Sequence, residues 1–414
     1  MSDPLGAAEI PVRASLSQLA RYFLRLGATA FGGPAAHIAI MEDDLVVRRR
    51  WLKREHFMDM LAATQLVPGP NSTEMAIHIG YVHQGLAGLV VAGACFIMPA
   101  FLIVLAISVA YVAYGALPAV GALFYGIQPV IVAIVLQAAY RLGRSALRTN
   151  AMRALGLAAL LITLIAPFDP VWVIVGGGLV GLALAQGGWG RAAALLALPL
   201  PGALAQAAPD APLWRLAWFF LKVGATLLGS GYLLISYLQN DLVNRYGWLS
   251  PRQLVDAVAV GQMTPGPVFT TAAFVGYVVR AGAGGDVARG AIGAAVCALA
   301  IFLPSFVIVA AMGPLMPWLR RSAGARAFLD GVNAAVVGTI AATTWSLFLT
   351  ATRNLPHPVL GIGLGGLGTL DLFAALLAGG AAALLLRDRA PNSTILIGAG
   401  AALGLVAQLL LGGG

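Results

Sequence analysis

Two stretches of this chain interrupt any helix they lie in, and they are nearly the same stretch written twice: Gln65-Leu66-Val67-Pro68-Gly69-Pro70 and Gln262-Met263-Thr264-Pro265-Gly266-Pro267. Each proline lacks its N–H and restricts the residue before it, while the glycine between them can enter left-handed backbone. A helix must stop at both places. The flanks are apolar, which puts the breaks at membrane depth, where opened backbone is tolerated only if it is buried in protein or lines a cavity. Such a break is either a tight turn between packed helices or part of a binding site.

The membrane assignment rests on composition. Of 414 residues, 60% are hydrophobic and 10% charged, with a mean hydropathy of +0.88, against roughly 25% charged for a soluble domain. Apolar runs of transmembrane length recur from end to end, so the expected fold is all-α, a polytopic integral membrane protein. The net charge of +9 comes from short clusters: Arg48-Arg49-Arg50 with Lys53-Arg54, Arg141 to Arg153, and Arg320-Arg321 with Arg326. Clusters of this kind fit the positive-inside bias better than a nucleic-acid partner. Residues 1–15 read as a short cytosolic tail rather than a cleavable signal peptide. Cys95 and Cys297 lie in apolar runs without metal-ligand spacing and read as core residues.

The breaks belong to a longer repeat. Phe23-Leu24 matches Phe220-Leu221, Gly27-Ala28-Thr29 matches Gly224-Ala225-Thr226, and Trp51-Leu52 matches Trp248-Leu249, all at an offset of 197 (220 − 23). Positions 23 to 70 share about 19 identities in 48 aligned pairs without a gap, too many for shared apolar composition. The register then slips, and Pro99-Ala100-Phe101 resembles Pro304-Ser305-Phe306, as Gly126-Ile127-Gln128 resembles Gly331-Val332-Asn333. The expected organisation is a tail (1–15), a first repeat (16–150), linking hydrophobic helices (151–212), a second repeat (213–350) and C-terminal transmembrane helices (351–414). Within the first repeat, a segment from Leu16 to Met41 is broken near Gly32-Gly33-Pro34, and Glu42 to Glu55 forms a charged loop. Spans are expected from Leu86 to Tyr114 and from Leu117 to Tyr140. Pro167-Phe168-Asp169-Pro170 splits the run Leu155 to Gln186, and Gly187 to Pro212 reads as a connector. The first loop keeps Arg48, Arg49, Arg50, Lys53 and Arg54, whereas its copy keeps little beyond Arg245 and Arg252. That imbalance favours opposite sides of the membrane, hence inverted halves with discontinuous helices.

Matched breaks in duplicated halves are the pattern of a secondary transporter whose substrate sits where the discontinuous helices meet. After the first break, Asn71-Ser72-Thr73-Glu74 reads as a helix start, in which Glu74 reaches back to Asn71 in a capping box. The same helix end would also suit an anion, particularly a tetrahedral oxyanion. An anion site drawn from both breaks would use Gln65, Pro68, Gly69, Pro70, Asn71 and Ser72 with Gln262, Pro265, Gly266, Pro267, Thr270 and Thr271. Gly32 and Gly33, with Gly229 and Gly231, would allow close backbone approach or a second opened helix. Glu74 and His78, four apart on one face, are candidates for proton coupling, with each also open to a structural role. Asp59 and Asp256, two turns before their breaks, are further candidates whose alternative is a hydrogen bond pinning helix arms. Asp44-Arg48-Trp51 and Asp241-Arg245-Trp248 read as structural i, i+4 pairs followed by an interfacial aromatic. No enzyme motif, cofactor motif or P-loop is present, so an ion gradient or the membrane potential must supply the energy.

Phe31-Gly32-Gly33-Pro34, the loop ending Arg50-Trp51-Leu52, and Gln65-Leu66-Val67-Pro68-Gly69-Pro70-Asn71 resemble the bacterial chromate ion transporter family, in its duplicated long-chain form. The resemblance covers the first 140 residues strongly and Phe220 to Trp345 more loosely. It implies an inner-membrane carrier that exports chromate and confers resistance. The partners it implies are chromate or a sulfate-like oxyanion and membrane lipid, and it leaves room for a homodimer. The alternatives are a sulfate or other oxyanion carrier working in uptake, an anion channel, or a scramblase-like protein.

Overall fold

The computed structural model describes residues 12–65, 67–115, 117–165, 168–187, 211–282, 284–353, 355, 358–363, 368–387 and 391–411, with the backbone alone over 312–321. Pro167 and most of the connector between Gly187 and Pro212 lie outside these residues, as do residues 1–11 of the tail. Among the described residues the regular structure is helical except for one short antiparallel hairpin, β1 (Gly361–Gly363) with β2 (Thr369–Asp371).

In the first repeat, α1 (Leu16–Thr29) opens with a capping box between Ser15 and Gln18 and buries Leu19, Tyr22, Phe23 and Leu26, one stripe at helical spacing. Arg21 and Arg25 stay exposed on the other face. The chain reopens at Gly32, whose φ of 104° needs glycine. It then forms α2 (Gly33–Glu42), which runs without pause into a π-helical turn, Asp43–Arg48. The charged stretch after Glu42 was expected as loop, but the backbone stays helical to Arg48. Arg48 pairs there with Asp43 at 2.8 Å and reaches Asp44 at 3.9 Å. Trp51, expected at the interface, is buried and packs edge-on against Tyr22 and His83. After α3 (Arg54–Thr64) comes the first break, then α4 (Asn71–Tyr114) and α5 (Pro118–Ala146). Non-helical Gln84 and Gly85 fold α4 into a hairpin. Gly80 and Gly88 face each other across it so closely that a Cβ at either would collide with the other's carbonyl.

The second repeat reproduces the order of these elements: α8 (Leu213–Thr226), α9 (Leu233–Tyr237) with its π-helical turn Leu238–Arg245, α10 (Pro251–Met263), the second break, α11 (Thr271–Ala281), α12 (Val287–Arg321) and α13 (Ala323–Thr352). Buried Leu216, Phe219, Phe220 and Val223 of α8 answer the stripe of α1 at the 197 offset. The close turn recurs as well: Trp51 N–H donates to Leu45 O and Trp248 N–H to Leu242 O, both at 2.8 Å. Between the repeats lie α6 (Asn150–Ile165) and α7 (Pro170–Ala185), and α14 (Leu372–Leu385) and α15 (Ser393–Leu411) follow the second. Asp169 caps α7 through the N–H of Val171, and Asp371 caps α14 through that of Ala374. Five described helices are long and apolar enough to cross a membrane, at Asn71–Tyr114, Pro118–Ala146, Val287–Ala311, Ala323–Thr352 and Ser393–Leu410.

The chain divides into two compact units. One contains residues 1–108, 211–231 and 264–329, and the other 109–210, 232–263 and 330–414. Both breaks fall in the first unit. In the second, α5 and α13 pack through small residues: Gly126 lies against Gly400 and Gly404 of α15, and Gly331 against Gly177 and Gly181 of α7. Asp256 is buried in this unit, where it accepts from Tyr111 Oη at 2.8 Å and Gln128 Nε2 at 2.9 Å. Asp59, its counterpart in the first repeat, is exposed. The aspartates therefore do not share one role: Asp256 ties α4 and α5 to α10, the pinning hydrogen bond that was one of its two readings. Asp256→Asn should cost about 1–3 kcal/mol by weakening two bonds to a buried carboxylate, while Asp59→Asn should stay within about 0.5 kcal/mol. Thermal unfolding of the purified variants measures both, and equal shifts would remove the distinction.

Candidate functional site

Interrupting a helix in apolar surroundings leaves amides and carbonyls to be satisfied, and the two breaks do this reciprocally. Gly69, at φ 140°, donates its N–H to Leu227 O at 2.8 Å, and Gly266, at φ 85°, donates to Ala30 O at 2.9 Å. The acceptors are themselves equivalent at the 197 offset, each ending the first helix of the other repeat. The break amides were expected to be open toward a ligand. In the glycines they are instead spent on holding the repeats together.

The first break hands over to α4 without a side-chain cap. Pro70 O accepts from the N–H groups of Thr73 at 2.8 Å and Glu74 at 3.0 Å, so Asn71 is the first helical residue. The expected capping box between Asn71 and Glu74 does not form, because the Glu74 carboxylate lies against Gly69 and accepts no hydrogen bond from a described residue. Glu74 is fully buried, and neither carboxylate oxygen has a hydrogen-bond partner among the described residues. It lies against Gly69: a Cβ on that residue would collide with Glu74 Oε1 and stand 2.7 Å from Ser305 Oγ. Ser305, on α12, is also fully buried, and neither its hydroxyl nor that of Thr73 has a partner among the described residues. Ser72, the next residue back, contacts His37 Nδ1 at 3.3 Å, and His37 Nε2 reaches Ala30 O at 3.1 Å. His37 thus links the helix after the first break to the carbonyl that receives the second.

The second break is built differently. A Cβ on Gly266 would meet Ala100 Cβ and the backbone Gly27 O, each at 2.8 Å, with no side-chain hydroxyl among its nearest neighbours. A short 3-10 turn, Val268–Thr270, precedes α11. Thr270 Oγ1 donates to Pro267 O at 2.8 Å and Thr271 Oγ1 to Val268 O at 2.7 Å, so neither hydroxyl proton is available to an anion.

Of the residues singled out in the sequence, Pro68, Gly69, Pro70, Asn71, Ser72, Glu74, Pro265, Gly266, Pro267, Thr270 and Thr271 fall in the first unit near the two breaks. Gln65 is exposed. Gln262 is buried in the second unit, hydrogen-bonded to Tyr232. His78 is buried one turn beyond Glu74. Gly32 and Gly33, both at positive φ, open the backbone before α2. Ser305, Thr73 and His37 were not singled out. Ser305 had a signal, since Pro304-Ser305-Phe306 departs from Pro99-Ala100-Phe101 at that one position. His37 had a weaker one, because its repeat counterpart is Leu234. Among the described residues no group of three His, Cys, Asp or Glu could hold a metal ion, and Cys95 and Cys297 are free thiols.

A sequence model of the family described as Chromate transporter matches the chain twice, at residues 17–182 and 214–405. The chain is 35% identical over 404 residues to the chromate transport protein of Cupriavidus metallidurans, covering 96% of this chain and 94% of that one. It is 34% identical over 371 residues to a probable chromate transport protein of Synechococcus elongatus, covering 87% and 92%. A chromate transport protein of Pseudomonas aeruginosa is 33% identical over 382 residues, covering 88% and 89%. No solved structure matches. With a family match across both halves and relatives aligned over most of their own length, this duplicated helical membrane protein belongs to the chromate transporter family.

Proposed function

We propose that the chain is a secondary transporter that exports chromate across the bacterial inner membrane, with its halves inverted and its substrate taken up at the first Pro-Gly-Pro break. The observation that carries this reading is the inequality of two otherwise equivalent breaks. One is lined by unpartnered buried polar groups, Glu74 and Ser305, and the other has its hydroxyls committed to backbone. The reciprocal bonds from Gly69 to Leu227 and Gly266 to Ala30 are those of two halves related by a two-fold exchange. The loop-charge imbalance favours an axis in the membrane plane.

A tetrahedral dianion needs donors in place of its water. Asn71, Ser72 and the hydroxyl of Ser305 supply them in this reading, at the positive end of α4. Glu74 opposes the anion as long as it is ionised, so its neutralisation accompanies binding, and His78 is the adjacent titratable group. Energy need not come from a nucleotide. A dianion leaving a cell whose interior is negative gains about 2.3 kcal/mol per charge per 100 mV, and even with one proton alongside it the complex still carries net negative charge outward.

Counterflow in proteoliposomes tests the class: labelled chromate should accumulate against unlabelled chromate, and simple dissipation of the gradient would indicate a channel. Unlabelled sulfate driving the same counterflow as well as chromate would move the assignment to a general oxyanion carrier. Calorimetry of chromate binding in sodium-free buffer tests the site between about pH 5.5 and 8. After correction for the fraction of chromate present as the dianion, wild-type affinity should fall as pH rises and Glu74 ionises, while Glu74→Gln should bind at least as tightly with a flat corrected profile. An unchanged profile in that variant would remove Glu74 from coupling. Asn71→Ala should weaken binding at every pH by about 1 kcal/mol, the scale of one hydrogen bond.

A further inference from the structure

We infer that Glu74 and Ser305 form a binding site for a monovalent metal cation, of which sodium is the first candidate, at the first helix break. The inference rests on the reading of that break as the functional one. It goes further by naming a second ligand.

The argument begins with charge. An ionised carboxylate that is fully buried without a partner is strongly disfavoured, and Glu74 is buried with both oxygens unpartnered. The start of α4 offers partial compensation, but a helix end carries only about half an elementary charge. Something else must balance the remainder. Among the described residues no Arg or Lys forms a salt bridge with Glu74, so the balance falls to a proton or to a bound cation, and the unpartnered hydroxyl of Ser305 beside the carboxylate favours the cation.

The donor set then selects the ion. The unpartnered atoms placed against Gly69 are oxygens, from the Glu74 carboxylate and Ser305 Oγ. Oxygen donors suit hard cations, and thiolates or imidazoles would be needed for the softer transition metals. One carboxylate balances one positive charge, whereas a divalent ion would leave a net charge in apolar surroundings. Opened backbone at a helix break adds carbonyl oxygens of the kind that coordinate sodium in discontinuous helices.

The repeat supplies an internal comparison. The counterpart of Glu74 at the 197 offset is Thr271, whose hydroxyl donates to Val268 O, and the counterpart of Ser305 is Ala100. Both cation-binding oxygens are thus missing at the second break, where Ala100 lies against Gly266. One site per chain follows. It also places donors from both repeats on one ion, because Glu74 belongs to the first and Ser305 to the second.

The test uses purified full-length protein in detergent without chromate. Its thermal unfolding midpoint is followed against NaCl, KCl and choline chloride at constant ionic strength, at two pH values. A ligand that binds only the folded state raises the midpoint in a saturable way, and the expected result is such a rise with NaCl and none with choline. Ser305→Ala, which copies the Ala100 side of the repeat, should need at least about tenfold more sodium for the same rise. Glu74→Gln should not respond. Response to KCl in place of NaCl would keep a monovalent site and change the ion. A midpoint that depends on pH through Glu74 but is the same in all three salts would overturn the proposal, since a proton alone would then balance the carboxylate. A sodium response unchanged in Ser305→Ala would overturn the site as drawn. Because no substrate is present, loss of the sodium response with intact chromate binding, or the reverse, tells the failure of this inference from failure of the transport reading.

Discussion

Two hydrogen bonds set the terms for the rest of the molecule. Where a chain breaks its helix in apolar surroundings, the freed backbone groups must find partners inside the protein. A half that used its own atoms for this could fold as an independent domain. Here Gly69 donates to Leu227 and Gly266 to Ala30, so each half needs the other to satisfy its break. Glycine is required at both positions twice over, by a positive φ and by the side chains packed where a Cβ would stand. The first helices are held close to the helices that follow the breaks for the same reason: a Cβ on Gly27 would collide with Phe96 O, and one on Gly224 with Ile301 O. Small residues and reciprocal backbone bonds do the work that side-chain hydrogen bonds do in a soluble core.

Much of this was legible in the sequence, because prolines, glycines and repeat offsets act locally and leave a pattern. The two breaks, the reopened helix at Gly32, the split of the apolar run after Leu155, and the span beginning at Leu86 are all set by residues that cannot do otherwise. The site was less legible. Whether Glu74 caps its own helix or turns toward Gly69 depends on what stands opposite, and the opposing Ser305 comes from 231 residues away (305 − 74). The equivalence of Asp59 and Asp256 failed for a related reason. Tyr111 and Gln128 lie far from Asp256 in sequence and bury it, and no local pattern announces that Asp59 stays exposed. The continuation of α2 through Asp43–Arg48 was hidden by its charges, which read as loop although Arg48 pairs with Asp43 within the turn.

The repeat itself extends further than identities alone trace it. Its family match starts at 17 and 214, an offset of 197 (214 − 17), and ends at 182 and 405, an offset of 223 (405 − 182). The same 223 separates Gly177 from Gly400 and Gly181 from Gly404. Those glycines make exchanged contacts: Gly400 and Gly404 pack on Gly126, while Gly177 and Gly181 pack on Gly331, the counterpart of Gly126. The hairpin α6–α7 thus stands to the second repeat as α14–α15 stands to the first. Helices that read as a linker and a C-terminal addition behave as the last part of each repeat, each packed on the other half. The identities fade there because what the packing needs is only a small residue at each crossing.

Exchange of this kind keeps the backbone symmetric while leaving the side chains free to diverge, and the divergence is concentrated at one place. His37 has Leu234 as its counterpart, Glu74 has Thr271, and Ser305 has Ala100. In each pair the more polar member belongs to the first break, and in each the second break has the group that needs no partner or makes one within its own turn. A buried polar group without a partner costs stability, so a set of them persists only where something offsets that cost. Random loss of symmetry would scatter such groups over both breaks. Glu74 and Ser305 stand together beside Gly69, whereas Gly266 faces Ala100 and the backbone carbonyl of Gly27, so the two breaks share a backbone design and differ in the polar side chains set against it.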